Sequence, residues 1–388
     1  MSSTYNPIRL GVVGLGRAFA LSAPAISSHS GIDLVAAAEP NRAHREAFTK
    51  AFHGDTYADI QTMLDEADIE AVYISTPHGL HKEHALTAIE AGKHVLVEKP
   101  MTIPLADATE MIKAAEQAGV TLIVGPSHSF DGPVALAEKL IKSGEIGRVR
   151  MIHAFYATDF LYRPRTSAEL STDLGGGVVF SQAVHQVDLV RRLAGKPAQR
   201  VTARTGGAWD SERPTEGAYS MLIDFEDELF ASLTYSGYAH FDGDRLMGDI
   251  SELGTPKSPD TGETARQKLT TVANEADFKT SRGFVSLESC PKADTHEHFG
   301  QVFVFGDLGD LRLTPTGVEV HNIKGCAFHE APFRTSRAEV FDTLFEAVRN
   351  RVLPLQDGYW GRASLEICHA LLASEASKDT TSLSHQHN

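Results

Sequence analysis

The 388-residue chain is short of cysteine, of unbroken apolar runs and of basic charge, and each shortage closes a class of function. Its three cysteines, Cys290, Cys326 and Cys368, are odd in number and far apart. Such spacing builds neither a disulfide framework nor a cysteine-based metal site. No apolar run approaches the roughly 20 residues that span a bilayer. The opening segment, MSSTYNPIRLGVVG, lacks the pattern of a secretory signal, so a reducing cytoplasm is the expected location. Lysine and arginine total 36 against 51 aspartates and glutamates, a formal net charge of −15. A field of that sign repels phosphate and argues against nucleic acid and anionic membranes as partners. An anionic substrate would need a locally cationic pocket. No internal repeat is evident.

What is present is a two-part chain. With 42% apolar and 22% charged residues it can build a large core, and its length suggests about two domains. From residue 8 to 125, short apolar stretches (IRLGVVGLG, IDLVAAAEP, AVYISTP, HVLVEKP, TLIVGPS) alternate with helical patterns such as HKEHALTAIEAGK. That alternation predicts a parallel, doubly wound α/β sheet. After about residue 150 the stretches lengthen and are joined by hairpin turns, as in AYSMLIDFEDELFASLTYSGY. Helices are predicted in GGGVVFSQAVHQVDLVRRLAG, RAEVFDTLFEAVRN and ASLEICHALLASEAS. This second part reads as an α+β domain on a mostly antiparallel, open sheet. The domains are expected over 1–128 and 129–376. Residues 248–283 read as a mobile loop or lid, and 377–388 as a disordered tail.

The chemistry-bearing motifs of the first part fall at strand ends. GVVGLGRAF carries Gly11, Gly14 and Gly16, which permit a tight turn and close approach of backbone to a pyrophosphate. The following helix, from Arg17 and Ala18, offers its N-terminal amides to the anion. Phe19 stands where the usual fingerprint has its third glycine. Glu39 closes the second strand, 23 residues after Gly16, where a carboxylate accepts hydrogen bonds from the adenosine ribose. It disfavours a 2′-phosphate and so favours NAD, whereas the nearby Arg42 is suited to pair with that phosphate. STPHGLH puts Ser75, Thr76, Pro77 and His81 at the edge where open α/β sheets bind ligands. Thr76 and Pro77 are expected on the nicotinamide side, and His81 there or as a helix cap. VEKPMT ends the fourth strand with Glu98, Lys99 and Pro100. The proline biases Lys99 toward extended backbone, so its ammonium group is aimed. Glu98 is expected on ribose hydroxyls.

Together GVVGLG, Glu39, STPHGLH, EKPMT, GEIGRV, GGGVVFSQAVHQVDLV and DGYWGRASLEI resemble the Gfo/Idh/MocA oxidoreductase family over nearly the whole chain. The resemblance implies an N-terminal Rossmann domain that binds NAD and a C-terminal domain whose sheet forms a homodimer or homotetramer. It also implies Lys99 and His185 as catalytic residues, with no metal. The family's G-G-G-x-x-x-D-x-G-x-H pattern is altered: Ser181 replaces the aspartate and Ala183 the glycine, while His185 matches. Four residues apart on a helix, Ser181 and His185 would share one face. Asp188 and Gln182 are expected to be supporting residues. Within the family, DFLYRPRTSAEL and EHFGQVFVFGDLGDLRL resemble the phthalate 4,5-cis-dihydrodiol dehydrogenase branch. That implies a small aromatic dicarboxylate diol as substrate and a catechol as product. Arg163 and Arg165, flanking Pro164, suit bidentate capture of a carboxylate. Ser127, His128, Ser181 and Arg213 are further candidate donors. The alternatives are a sugar or cyclitol dehydrogenase of the same family and a non-catalytic NAD-binding regulator.

Overall fold

The computed structural model describes residues 6–258 and 264–386. The chain divides into two compact units: Met1–Pro126, Thr280–Pro291 and Thr335–Arg362 form the first, and Ser127–Lys279, Lys292–Arg334 and Ala363–Asn388 the second.

The first unit is built on six strands: β1 (Ile8–Val13), β2 (Ile32–Ala38), β3 (Asp55–Tyr57), β4 (Ala71–Ile74), β5 (His94–Val97) and β6 (Leu122–Val124). They lie in the order β3-β2-β1-β4-β5-β6, every neighbouring pair parallel. Helices α1 (Arg17–Ser28), α2 (Arg42–Phe52), α3 (Ile60–Glu66), α4 (His81–Glu90) and α5 (Leu105–Ala118) make the crossovers. Because both faces are covered, β4 and β5 read as unbroken apolar runs rather than alternating ones. Strand order reverses between β1 and β4, which opens a crevice at their carboxyl ends. Asn41 caps α2 by accepting from the Ala43 amide at 2.9 Å, and Asp59 caps α3 from Thr62 at 2.9 Å. Phe19 is fully buried on α1 against Phe48, Phe52 and Phe284, with ring centroids 5.2–6.2 Å apart. That aromatic cluster explains the missing third glycine: the position faces a core, which a bulky ring fills.

The second unit carries nine strands: β7 (Val149–Ala157), β8 (Ala198–Arg204), β9 (Ala218–Phe225), β10 (Phe230–Ser236), β11 (Gln301–Gly306), β12 (Gly309–Thr314), β13 (Gly317–Asn322), β14 (Gly325–Glu330) and β15 (Thr381–Ser382). Their order is β14-β13-β12-β11-β7-β10-β9-β8-β15. All neighbours are antiparallel except β7 and β10. Burial alternates along β9 and β10, the signature of a sheet with one covered face. Helix α6 (Gly132–Lys142) packs over β12 and β13, and α7 (Val184–Ala194) over β7.

Two expectations fail here. Of the segment 248–283, residues 259–263 lie outside the described residues, but the rest is built into the fold. It carries α8 (Ala265–Leu269), started by a Thr264–Gln267 capping box, and α9 (Glu275–Thr280). The tail expected to be disordered is tied down: Thr381 and Ser382 pair with Val201 and Arg200 of β8. The Glu366 carboxylate accepts from the Ser384 and His385 amides at 2.6 and 2.9 Å and from Gln386 at 2.8 Å. Polar composition misled because these polar groups are satisfied by a buried carboxylate rather than by water. Residues 387–388 lie outside the described residues. Two further helices, α10 (Ala338–Arg349) and α11 (Gly358–Ser377), complete the chain. Among the described residues no helix is long and apolar enough to cross a membrane.

Candidate functional site

The crevice of the first unit opens where β1 gives way to α1. Gly14 holds φ +90, and a Cβ there would lie 3.0 Å from the Ser75 carbonyl oxygen and the Thr76 methyl. Only glycine suits that turn. A Cβ on Gly16 would meet nothing within 4 Å. Gly16 starts α1 with no side-chain cap and no acidic residue in the first turn, so the helix N-terminus carries no built-in anion. Gly11 is not part of this loop. It sits inside β1, and a Cβ would press on Ile69 and Met63 at 2.9 and 3.2 Å. It is a close-packing position, because the strand runs on to Val13 before the turn begins.

Glu39, buried at the end of β2, accepts from the Leu15 amide at 2.7 Å and from Asn41 at 2.8 Å. One bond falls on each carboxylate oxygen, leaving each a lone pair for a ribose hydroxyl. Arg42 is turned along α2 onto Glu46 at 2.8 Å and is largely exposed. The cradle of Gly14, Gly16, α1 and Glu39 thus fits a dinucleotide with free ribose hydroxyls.

The remaining strand ends are locked to one another. Ser75 Oγ donates to the Gly14 carbonyl at 2.7 Å. His81 is fully buried, its ring nitrogens each 2.8 Å from a carbonyl oxygen, that of Thr76 on one side and of Pro100 on the other. Burial pulls its pKa down, against the pull of those carbonyls. The ring faces inward, so it staples the STP loop to the EKP turn rather than meeting a ligand. Glu98 also turns inward: Tyr73 donates to its Oε1 at 2.9 Å, and Arg337 lies 3.6 Å away. Lys99 follows at the carboxyl end of β5, half-buried, with its bond to Pro100 cis.

In the second unit a cluster of rings surrounds His185. The π-helical turn Val179–Ala183 leads into α7, and His185 sits in the first turn of that helix. Such turns recur at functional sites. The His185 Nδ1 lies 3.4 Å from Ser127 Oγ. Its ring is edge-on to His128 at 4.7 Å and tilted on Phe299 at 5.0 Å. Phe299 in turn stacks on Tyr235 at 5.8 Å. His128 holds Asp131 at 2.7 Å. Burial opposes a charge on this imidazole, but Asp131, with Glu297 and Glu252, raises its pKa above the ordinary value. Asp188 accepts from the Ser129 amide at 2.8 Å and so fixes the turn that bears His128. Gln182 accepts from the Tyr235 hydroxyl at 3.2 Å. The π turn replaces the regular α-helix on which Ser181 and His185 were expected to share a face. The Ser181 hydroxyl bonds back to the Gly177 carbonyl.

Arg163 and Arg165 flank Phe160, whose ring lies 5.3 and 3.6 Å from their guanidinium carbons. Arg163 donates to Glu252 at 3.0 Å. Burial works against its charge, but Glu252 and the nearby phenols hold it above the ordinary value. Arg165 is less well matched. It donates to the Phe160 carbonyl at 2.8 Å and reaches Glu169 only at 3.5 Å, while Glu169 is in closer contact with Lys279. Its buried Nε has no hydrogen-bond partner. Burial draws this guanidinium down to about 10, Glu169 compensating in part. Arg213 is committed to Glu275 through bonds of 2.9 and 2.8 Å. The sequence reading did not single out Glu252, Glu216, Tyr235 or Phe299. Glu216 is wrapped by the glycine run, with Val179 donating to it at 3.2 Å. A Cβ on Gly177 would collide with it, which is the signal those glycines carried.

Comparisons agree with this architecture. Residues 8–126 match the family model described as an oxidoreductase family with an NAD-binding Rossmann fold, and residues 134–247 match the GFO/IDH/MocA C-terminal domain. The chain is 42% identical over 377 residues to 1-carboxy-3-chloro-3,4-dihydroxycyclohexa-1,5-diene dehydrogenase of Comamonas testosteroni, with 94% of each chain covered. A crystal structure from Bordetella bronchiseptica RB50 superposes with a TM-score of 0.92 at 38% identity, over 97% of this chain and all of that one. An oxidoreductase from Agrobacterium radiobacter, solved with NAD+ and L-tartaric acid, shares the fold at a TM-score of 0.73 and 17% identity, covering 97% and 98% of the two chains. With a dinucleotide cradle on a Rossmann sheet, a matching second domain and a relative alike over almost its whole length, the chain belongs to the Gfo/Idh/MocA family of NAD-dependent oxidoreductases.

Proposed function

We propose that this enzyme oxidises a carboxylated cyclohexadiene cis-diol to a catechol. The observation that carries the reading is the buried, under-neutralised Arg165 beside an aromatic cluster in a chain of net charge −15. Burying a guanidinium with an unmet donor costs free energy, which a substrate carboxylate at Arg165 would recover. The name of the Comamonas testosteroni relative, a carboxylated cyclohexadiene diol dehydrogenase, supports the same class. Phthalate 4,5-cis-dihydrodiol is the dicarboxylated member of that class.

The roles follow from the side chains. NAD, when bound, accepts the hydride. Gly14, Gly16 and the amides of α1 hold its pyrophosphate, and Glu39 its adenosine ribose. Lys99 takes the hydrogen bond of the reacting hydroxyl and helps remove its proton. His185, held by Ser127 and ringed by His128 and Phe299, is assigned a proton-transfer role of its own. Arg165 holds the carboxylate. Loss of a hydride and a proton leaves a hydroxyketone, which tautomerises to the catechol, and the gained aromaticity draws the reaction forward. The test is NADH formation across a panel of carboxylated cis-diols, neutral cis-diols, sugars and cyclitols. The carboxylated diols should have the highest kcat/KM, and a sugar or cyclitol in first place would refute the reading.

A further inference from the structure

The two arginines of the YRPR segment are not equivalent, although the sequence presents them as a pair. Arg163 already has a carboxylate: Glu252 lies 3.0 Å from its Nη2, on a turn fastened to the second unit. The Glu252 carbonyl accepts from the His298 amide at 3.2 Å, and the Ser251 amide donates to Thr255 at 2.8 Å. The side chain of Glu252 is only 19% exposed, so this carboxylate is held in place against Arg163. Arg165 has no such partner of its own. Glu169 stands 3.5 Å away and is shared with Lys279, and the buried Nε–H is unmet. Arg163 thus has a close carboxylate of its own, while Arg165 shares its more distant one and keeps one donor unmet.

We infer that Glu252 is a specificity-determining residue that restricts the pocket to substrates with a single carboxylate. It occupies Arg163 as a built-in anion, leaves Arg165 as the arginine of the pair with an unmet donor, and places a negative charge where a second substrate carboxylate would seek its own. Like charges in a partly desolvated site repel strongly, which is how a pocket rejects a near analogue. The inference rests on the carboxylated-diol reading above and narrows it from any ring acid to a monocarboxylate.

The test compares wild type and Glu252→Gln on a monocarboxylated cis-diol and on phthalate 4,5-cis-dihydrodiol. Benzoate and phthalate serve as non-reacting competitors in the same assay. Glutamine is isosteric and keeps an oxygen for Arg163, and Glu252→Ala is the second variant. Wild type should favour the monocarboxylate. In Glu252→Gln, kcat/KM for the dicarboxylate should rise about tenfold or more, the scale of one charge-assisted hydrogen bond. Phthalate should become the better inhibitor, while the monocarboxylate changes less than about threefold on the same scale. A wild type that prefers the dicarboxylate, or variants that shift both substrates equally, would overturn the inference and leave the diol reading standing. Turnover of polyols alone, with no inhibition by benzoate, would instead remove the diol reading and this inference with it.

Discussion

Replacing Arg165 by methionine removes the charge while keeping a side chain long enough to cover Phe160. The guanidinium gives up a hydrogen bond to the Phe160 carbonyl at 2.8 Å, a long ion pair with Glu169 at 3.5 Å and a contact 3.6 Å above the Phe160 ring. A lost bond of this kind costs about 1 kcal/mol. Removing a buried charge whose Nε has no partner works the other way, so global stability should move by no more than about 1 kcal/mol. The substrate term is larger. A hydrogen bond from a charged donor to a carboxylate contributes about 1.5–3 kcal/mol. At about 1.4 kcal/mol per decade, kcat/KM for a carboxylated cis-diol should fall roughly tenfold to 150-fold. A neutral cis-diol gains nothing from the arginine and should lose less than about threefold by the same arithmetic. The assay is initial-rate kinetics on both diols, with thermal unfolding of the variant as the control. Equal losses on the two substrates would mean that Arg165 only holds its loop, and an unchanged kcat/KM on the charged diol would remove it from recognition.

Lys99→Met should lower kcat by about two to four orders of magnitude with NAD affinity little changed, as measured by kinetics and NAD titration. A near wild-type kcat would exclude it from the proton step. Glu39→Ala should weaken NAD binding and narrow the preference over NADP, because it removes both the ribose acceptor and the tie to the Leu15 and Asn41 amides. An unchanged Kd would show that the cradle does not rely on it. The His128–Asp131 pair should be stability-linked to pH. Its folded pKa is raised, so its contribution is complete below the ordinary imidazole value of 6.5 and is lost as pH rises through the folded value. Asp131→Asn should therefore cost more stability near pH 6 than near pH 9 in urea unfolding. Equal costs at both would refute the assignment.

Five of the six strands of the first sheet were legible because apolar runs ending at glycine, proline or charged residues alternate with helical periodicity; β3, only three residues long and half-polar, carries no such signal. The placement of Gly14 and Gly16 at the first turn and of Glu39 at the end of β2 was legible for the same reason, being set by neighbours within a single βαβ unit. Gly11 was misassigned because a close-packing glycine and a loop glycine look alike until strand length is known. His81 and Glu98 were expected to meet the dinucleotide because their partners, the Pro100 carbonyl and Tyr73 with Arg337, are distant in sequence. The inequality of Arg163 and Arg165 was hidden for that reason too, since Glu252 is 89 residues from Arg163. The π turn before α7 has no compositional signature. The tail was misread because polarity was taken for disorder, when the Glu366 carboxylate had been placed to receive it.

The central claim is that a carbinol hydrogen of a carboxylated cyclohexadiene cis-diol leaves as hydride to NAD and that the ring then aromatises. The most direct measurement uses a carboxylated cis-diol deuterated at both carbinol carbons, with mass analysis of both products. One deuterium should appear on the reduced nicotinamide, and the second should be lost to solvent as the hydroxyketone tautomerises, leaving a catechol with none at its oxygenated carbons. Reduced nicotinamide without deuterium, or a product that keeps deuterium at a carbinol carbon and never becomes a catechol, would contradict the account.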